Sequence, residues 1–384
     1  MTGARRIAGV GLVAALVVGG AVVARSVHRG DGDGFVTRSG RAFVVGSRPF
    51  RFVGFSVYDA AASDVYSCRP ESRMSDAQLD EAFRWARDRA GATVIRFWAY
   101  QAYTRSGSSF AGVDRVLATA RRNGLRVLPV LDDGPGDCST RPGRHPKSEF
   151  QGDTWYATGY RQVEPPYPLS YRDYVAEVVA RYRDDPTILG WSMMNEAETA
   201  HRDALGHSDL VGFARDVSEV IRAADPNHLV TVGTQGNGAP GASGADFAEV
   251  YGAPAVDFTE VHDWGRWGSD DEPLPGSTAD GSPPSVASGP CLVPAARIAC
   301  SFSWARTLDK PLVVGESGIA AVDDAQRRRR AGLLGAKIRA AFAQGASGYL
   351  VWQLNSTDTD TYDVVVGTAD PLLPVMRSLA PPSP

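Results

Sequence analysis

The chain has 384 residues, a formal net charge of −4, 43% hydrophobic and 22% charged residues, a balance that can bury a large core. It excludes an intrinsically disordered protein, and its mild acidity offers no basic face for nucleic acid. The length could hold two domains, but one α/β barrel commonly takes about 250 residues and more with loop insertions, and the order of elements below fits a single barrel.

The N-terminus reads "MTGARRIAGVGLVAALVVGGAVVARS": two arginines, an apolar run from Ile7 to Ala24, and the small residues Val22 and Ala24 ahead of Arg25. This is the layout of an export signal over residues 1–24, with cleavage after Ala24. The alternative is that the run 7–24 stays as a membrane tether. Either way the rest of the chain is expected outside the cytoplasm, secreted or anchored on the outer face of the membrane. Residues 25–34, rich in Gly and Asp, read as a flexible linker, and residues 35–380 as the folded domain. In an oxidising compartment the four cysteines, Cys68, Cys138, Cys291 and Cys300, are expected to form two disulfides. Cys291 with Cys300 would close a short local loop and leave Cys68 with Cys138, although the sequence leaves three connectivities open.

The folded part opens with "FVTRSGRAFVVGSRPFRF", two alternating strands joined around Ser39-Gly40, a hairpin. Eight short β-type runs follow: "RFVGFSV", "TVIRFWAY", "LRVLPVLDD", "TILGWSMMNE", "HLVTVGTQ", "VDFTEVHDW", "PLVVGESG" and "GYLVWQLN". Helical patterns separate most of them. "SDAQLDEAFRWARDRAG" has Ser75 as its cap and Gly91 as its stop. "YRDYVAEVVARYR", "LVGFARDVSEVIRAAD", "DDAQRRRRAGLLGAKIRAAFAQG" and the weaker "DPLLPVMRSLA" are others, and the basic run Arg327 to Arg330 reads as a solvated helix face. Strand and helix alternating eight times predict a parallel sheet closed into a (β/α)8 TIM barrel behind an N-terminal β-hairpin. Two long connections, Asp132 to Pro168 and Gly265 to Pro294, follow strands and so belong to the C-terminal rim, where barrels keep their active sites.

The polar residues that end the strands share that rim: Arg96 and Trp98 after the second, Asp132-Asp133 after the third, Asn195-Glu196 after the fourth, His262-Asp263-Trp264 after the sixth, Glu316 after the seventh and Trp352 after the eighth. A carboxylate at the end of a buried strand costs several kcal/mol unless paired, hydrogen-bonded or protonated. Two of them, Glu196 and Glu316, are what glycosidic bond cleavage needs: one donates a proton to the leaving oxygen while the other attacks the anomeric carbon or activates a water. His145, His201, His207 and His228 fit no common zinc spacing, so neither a metal nor another cofactor is expected. The rim aromatics Tyr58, Trp98, Tyr100, Trp155, Tyr156, Trp264 and Trp267 divide between loop packing and stacking on sugars. The chain has no phosphate-cradling glycine motif, serine nucleophile elbow or nucleotide fingerprint.

On these residues the chain resembles glycoside hydrolase family 5, in the clan whose barrels carry two catalytic glutamates after strands four and seven, and within it the endo-1,4-β-mannosidase (β-mannanase) branch. The resemblance runs from Phe35 to about Leu354 and is most specific in "DDPTILGWSMMNEA" and "KPLVVGES". It implies a retaining double displacement with Glu196 as acid/base and Glu316 as nucleophile. It also implies that Asn195 contacts the C2 substituent, that Arg96 keeps Glu316 ionised while Glu196 stays protonated, that His262 is the sixth-strand histidine, and that Trp352 forms the floor under the reacting sugar. Trp98 and Trp264 complete the expected substrate contacts, with Asp132 and Asp133 as further candidates. Three departures stand out: Ala197 replaces the usual proline, Trp264 stands where a tyrosine usually contacts the nucleophile, and Gln235 where mannanases tend to carry a glutamate. The implied partner is a polysaccharide or oligosaccharide and the implied state a monomer. The alternatives are the same machinery on another β-glycan, as a glucanase or exo-β-glycosidase, a carbohydrate-binding barrel without turnover, or a metal-dependent barrel hydrolase.

Overall fold

The structure, a computed structural model, describes residues 34–64, 66–105, 107–134, 138, 154–165, 167–264 and 297–381. The expected export segment 1–24, most of the linker, most of both long connections, His145, Trp267 and Cys291 lie outside these residues.

The first element is a three-stranded antiparallel meander, β1 (Val36–Ser39), β2 (Ala42–Val45) and β3 (Arg48–Phe50). The expected hairpin is its first half. The second turn passes through Gly46 and brings Arg48–Phe50 back onto β2, a strand that the continuous run into the barrel had hidden.

Eight parallel strands then make one sheet: β4 (Phe52–Ser56), β5 (Val94–Trp98), β6 (Arg126–Val130), β7 (Gly190–Ser192), β8 (Leu229–Thr231), β9 (Thr259–Asp263), β10 (Leu312–Ser317) and β11 (Gly348–Val351). Their spatial order is β8-β7-β6-β5-β4-β11-β10-β9. The two end strands meet through backbone bonds, the amides of Asp257 and Phe258 donating to the Val230 carbonyl and that of His262 to the Gln235 carbonyl. The sheet is thus nearly closed, a TIM barrel as the sequence predicts.

The helices fall between strands: α1 (Asp76–Ala90), α2 (Ala111–Arg122), α3 (Tyr171–Tyr182), α4 (Asp209–Ala224), α5 (Ala245–Gly252), α6 (Arg297–Thr307), α7 (Asp324–Ala343) and, after β11, α8 (Leu372–Leu379). Helix α1 starts on a reciprocal capping box between Ser75 and Gln78 and stops at Gly91, whose φ of +70° suits glycine. Ser170, Ser208 and Asp323 cap α3, α4 and α7 by accepting a backbone N–H in the first turn. One expectation fails on α7. Arg328 and Arg329 are exposed, but Arg330 is 1% exposed and donates to Asp370 at 2.5 Å and to the carbonyls of Tyr362 and Asp363. It fastens the segment after β11 to the barrel wall.

The bottom of the barrel is a closed apolar layer to which every strand or its lead-in contributes: Phe52, Val94, Leu128, Leu189, Leu229, Phe258, Val313 and Leu350. The meander seals it with Val36, Phe43 and Phe50, and the Phe43 ring lies 5.4 Å from Phe258 and 6.4 Å from Phe52. With the bottom plugged by carbon, the polar strand ends can only gather at the other face. Phe43→Ala should therefore lower unfolding free energy by about 3–5 kcal/mol, read from urea denaturation, while leaving the chemistry at the opposite face of the folded fraction unchanged.

Candidate active site

The site is built on Arg96 at the inner face of β5. Its guanidinium is fully buried; Nη1 donates to Glu316 Oε1 at 2.6 Å and Nη2 to Asn195 Oδ1 at 2.9 Å, and Nε lies 3.3 Å from Glu260 Oε1. Burial alone would lower its pKa, but Glu316 and Glu260 more than offset it and hold the charge in place.

Glu196 and Glu316 reach the same space from opposite walls. Glu196 sits just past β7 with φ at +52°, a left-handed conformation that a non-glycine residue adopts only when its surroundings hold it there. On the other wall, the register of β10 against β9 slips between Val314 and Glu316, so that Glu316 lies beside His262. A bulge of this kind re-aims a side chain, here the second carboxylate. One ligand atom from each of Glu196, His262 and Glu316 lies within 4.8 Å of the others.

His262 is the hinge between the two carboxylates. Its Nδ1 is 2.8 Å from Glu196 Oε1 and 3.5 Å from Glu316 Oε2, and its Nε2 faces Glu260 Oε1 at 3.6 Å. Burial opposes its charge, yet Glu316, Glu196 and Glu260 raise its pKa to about 9, so it is an imidazolium at neutral pH. Gln235, from the end of β8, donates its amide to Glu196 Oε2 at 2.7 Å, and Trp264 donates its indole N–H to Glu316 Oε2 at 3.2 Å. Two of the three departures from the expected pattern thus become donors to the carboxylate pair. The carboxyl of Glu316 is shifted upward, first by burial and then by Glu196 and Glu260, with His262 and Arg96 pulling the other way. Arg96 is placed as expected, but its charge does not outweigh burial in the free site.

Among the described residues, Glu196, His262 and Glu316 form the one cluster of possible ligand type. The Arg96 guanidinium and the protonated His262 already donate to both carboxylates there. The donor set fits proton handling rather than metal binding.

The remaining expected residues separate clearly. Asn195 is held by Arg96 on its oxygen and by Asp133 Oδ1, which accepts from its Nδ2 at 3.1 Å. Asp133 and Asp132 are 1% and 3% exposed, and Asp133 also accepts from the Cys138 amide, so both carboxylates brace the rim instead of facing a cleft. Cys138 is bonded to Cys68, and Cys300 is also disulfide-bonded. Asp263 points outward, where Lys337 of α7 donates to it at 2.9 and 3.1 Å and Tyr349 at 3.3 Å; strand alternation puts it on the opposite face from His262.

Trp352 and Trp264 are partly exposed beside the carboxylates, with ring centroids 6.0 Å apart. Trp98 is 5% exposed and lies behind Trp352, tilted against Tyr58 and stacked on Tyr100, so it supports the exposed aromatic surface and does not form it. Trp155 and Tyr156 pack against Phe213 of α4 and are loop packing. His201, His207 and His228 pair with Asp209, Glu249 and Asp225, away from the site.

The residue that sequence reasoning passed over is Glu260. It is fully buried beneath the pair, takes a hydrogen bond from Ser192 Oγ at 3.0 Å, and has its carboxyl held below the ordinary range: burial pushes it up, but His262, Arg96 and Ser192 prevail. The signal was the alternation in "TEVHD", which puts Glu260 on the same inward face as His262.

Known proteins share this barrel and part of this sequence. The family model of GH family 5 beta-mannosidase-like proteins matches residues 169–344. Mannan endo-1,4-beta-mannosidase 1 of Oryza sativa subsp. japonica is 27% identical over 91% of this chain and 86% of its own. The probable mannan endo-1,4-beta-mannosidase C of Aspergillus terreus is 26% identical over 62% and 66%. Among solved structures, the endo-1,4-beta-mannanase from Rhizomucor miehei covers 90% of this chain and 99% of its own with a TM-score of 0.63 at 17% identity. That from Thermotoga petrophila covers 87% and 77% with a TM-score of 0.60 at 20% identity. At such identities the structures establish the shared barrel. Fold and sequence together define a glycoside hydrolase. Its likeness is to family 5, on the mannan endo-1,4-β-mannosidase side of that family.

The raised pKa of His262 has a consequence for stability. A histidine whose folded pKa of about 9 exceeds the ordinary 6.5 contributes stability that is complete below about pH 6.5 and disappears as pH rises through about 9. The melting temperature of the wild type should accordingly fall between pH 7 and 9.5, and that of His262→Gln should stay flatter. The difference is on the order of 3 kcal/mol, measured by calorimetry across that range.

Proposed function

We propose that residues 35–380 are the catalytic domain of an exported retaining hydrolase of β-mannan, with Glu196 as acid/base and Glu316 as nucleophile. The observation that carries this reading is the approach of the two glutamates, from the ends of β7 and β10, to within 4.8 Å at their nearest ligand atoms. Retaining enzymes hold their carboxyl groups about 5–5.5 Å apart, whereas inverting ones leave room for a water. The names of the rice and Aspergillus relatives support mannan as the polymer. The N-terminal apolar run and the disulfides support export.

In the first step Glu316 attacks the anomeric carbon while Glu196 gives its proton to the departing glycosidic oxygen; the old C–O bond breaks as the glycosyl ester forms. In the second step Glu196 takes a proton from water, whose oxygen replaces the ester and frees Glu316. Arg96 and Trp264 fix the two oxygens of Glu316, and His262 and Gln235 those of Glu196. Asn195 has its oxygen committed to Arg96 and one N–H to Asp133, which leaves its second N–H for the sugar's C2 hydroxyl. Trp352 offers a flat face to the sugar's C–H surface.

The test is a product assay on manno-, gluco- and mixed-linkage oligosaccharides with the initial anomer read by NMR. Short manno-oligosaccharides of retained β configuration are expected. Glu196→Ala should lose at least about 100-fold in rate and Glu316→Ala should fall below detection. Preference for a gluco-substrate would discard mannan and keep the mechanism; inverted products would discard the mechanism. Trp264→Phe, which removes one donor to the nucleophile and keeps an aromatic face, should lower kcat by about tenfold with KM little changed, in steady-state kinetics on the preferred oligosaccharide.

A further inference from the structure

Three buried polar atoms converge beneath the carboxylate pair without forming a hydrogen bond: Arg96 Nε, His262 Nε2 and Glu260 Oε1. The oxygen lies 3.3 Å from the first and 3.6 Å from the second, so it meets both as an ion pair, while the other oxygen of Glu260 is fixed by Ser192. The space it occupies is provided by the neighbouring strand. A Cβ built on Gly315 would stand 2.1 Å from Glu260 Oε1, so β10 carries glycine immediately before Glu316 where the Glu260 carboxylate lies. The groups facing Glu260 are Arg96 from β5, Ser192 from β7, His262 from its own strand, Gly315 and Glu316 from β10, and Tyr251 from α5, whose hydroxyl donates to the Glu260 carbonyl at 3.2 Å.

The cluster therefore holds two cations, Arg96 and His262, and three carboxyls, Glu196, Glu260 and Glu316. In a buried site the state with balanced charge is favoured, because an uncompensated charge there is costly. Without Glu260, balance requires both Glu196 and Glu316 to be ionised, and the leaving group then has no acid. With Glu260 ionised, balance leaves one proton for the other two carboxyls. Resting on the retaining reading above, we propose that Glu260 is a positioning residue whose buried charge, balancing Arg96 and His262, keeps one proton on the Glu196–Glu316 pair, while the direct bond from Arg96 to Glu316 directs that proton to Glu196. Glu260 itself touches no reacting atom. Its role is to supply the third negative charge that makes the acid-and-nucleophile state the neutral one.

The experiment is the pH profile of kcat and KM for Glu260→Gln, Glu260→Asp and Gly315→Ala beside the wild type. Removing the charge lowers the pKa of every neighbour, so both limbs for Glu260→Gln should move toward acid by about one pH unit. On the alkaline limb this is about a tenfold loss of kcat, with KM within about threefold. Glu260→Asp keeps the charge and should return the profile to its wild-type position at lower kcat. Gly315→Ala leaves every charge in place but displaces the carboxylate, and should shift the limbs in the same direction by less; it carries the test where the glutamine variant does not fold. A lower melting temperature with unmoved limbs in both Glu260→Gln and Gly315→Ala would overturn the inference and make Glu260 structural. Glu316→Ala, assayed alongside, separates the two ideas: full activity there sinks the retaining reading and this inference with it, whereas loss of activity there with unmoved limbs in the other variants sinks this inference alone.

Discussion

A guanidinium taken wholly out of water must find its hydration shell replaced by fixed acceptors, and the architecture of this barrel top follows from that requirement on Arg96. Its partners, Glu316, Asn195 and Glu260, come from β10, the end of β7 and β9, so each wall of the barrel contributes one acceptor. None of these groups is stable in its position alone. Asn195 needs Asp133, Asp133 receives the amide of Cys138, and Cys138 is tied to Cys68 in the loop after β4. The tie reaches from the outer rim to Glu316 through four side chains and one disulfide. A buried charge network of this kind is costly to assemble and costly to leave half made.

Much of this was legible in the sequence. Strand alternation, capping residues and turn glycines set the eight strands and the helices, because those signals are local and each has a short-range physical cause. The strand-end logic likewise identified Arg96, Asn195, Glu196, His262 and Glu316, which the structure brings together. What escaped depends on partners far away along the chain. Arg330 looks solvated within its own helix, and only Asp370, forty positions later, makes it a buried ion. Asp263 looked like a rim acid because the sequence does not say which face of β9 meets α7; Lys337 decides it. Glu260 sat inside an apolar run and read as part of the strand, and its meaning appears only when β5 and β10 close around it.

Two of the three departures from the expected pattern, Trp264 and Gln235, show how the network takes a different donor. Glu316 is contacted by the indole N–H of Trp264, where a phenolic hydroxyl was expected, and Glu196 by the amide of Gln235, where a carboxyl was expected. Both replacements are obligate or available donors, and both face an oxygen that accepts. The larger indole also leans on Gly318, where an added Cβ would come within 2.4 Å of the ring, and sets its edge against Tyr362. The aromatic wall of the site is therefore fixed from behind by a position that has no side chain.

The same relation holds between Gly315 and Glu260. Positions 260 and 315 lie on neighbouring strands and compete for one volume, since a Cβ at 315 would stand 2.1 Å from the Glu260 carboxylate. A side chain at 315 is therefore accommodated only if the Glu260 carboxylate moves. An exchange there would shift the carboxylate away from Arg96 and His262 without removing its charge. The two positions are coupled in space, and the strand that carries no side chain sets where the buried charge on its neighbour comes to rest.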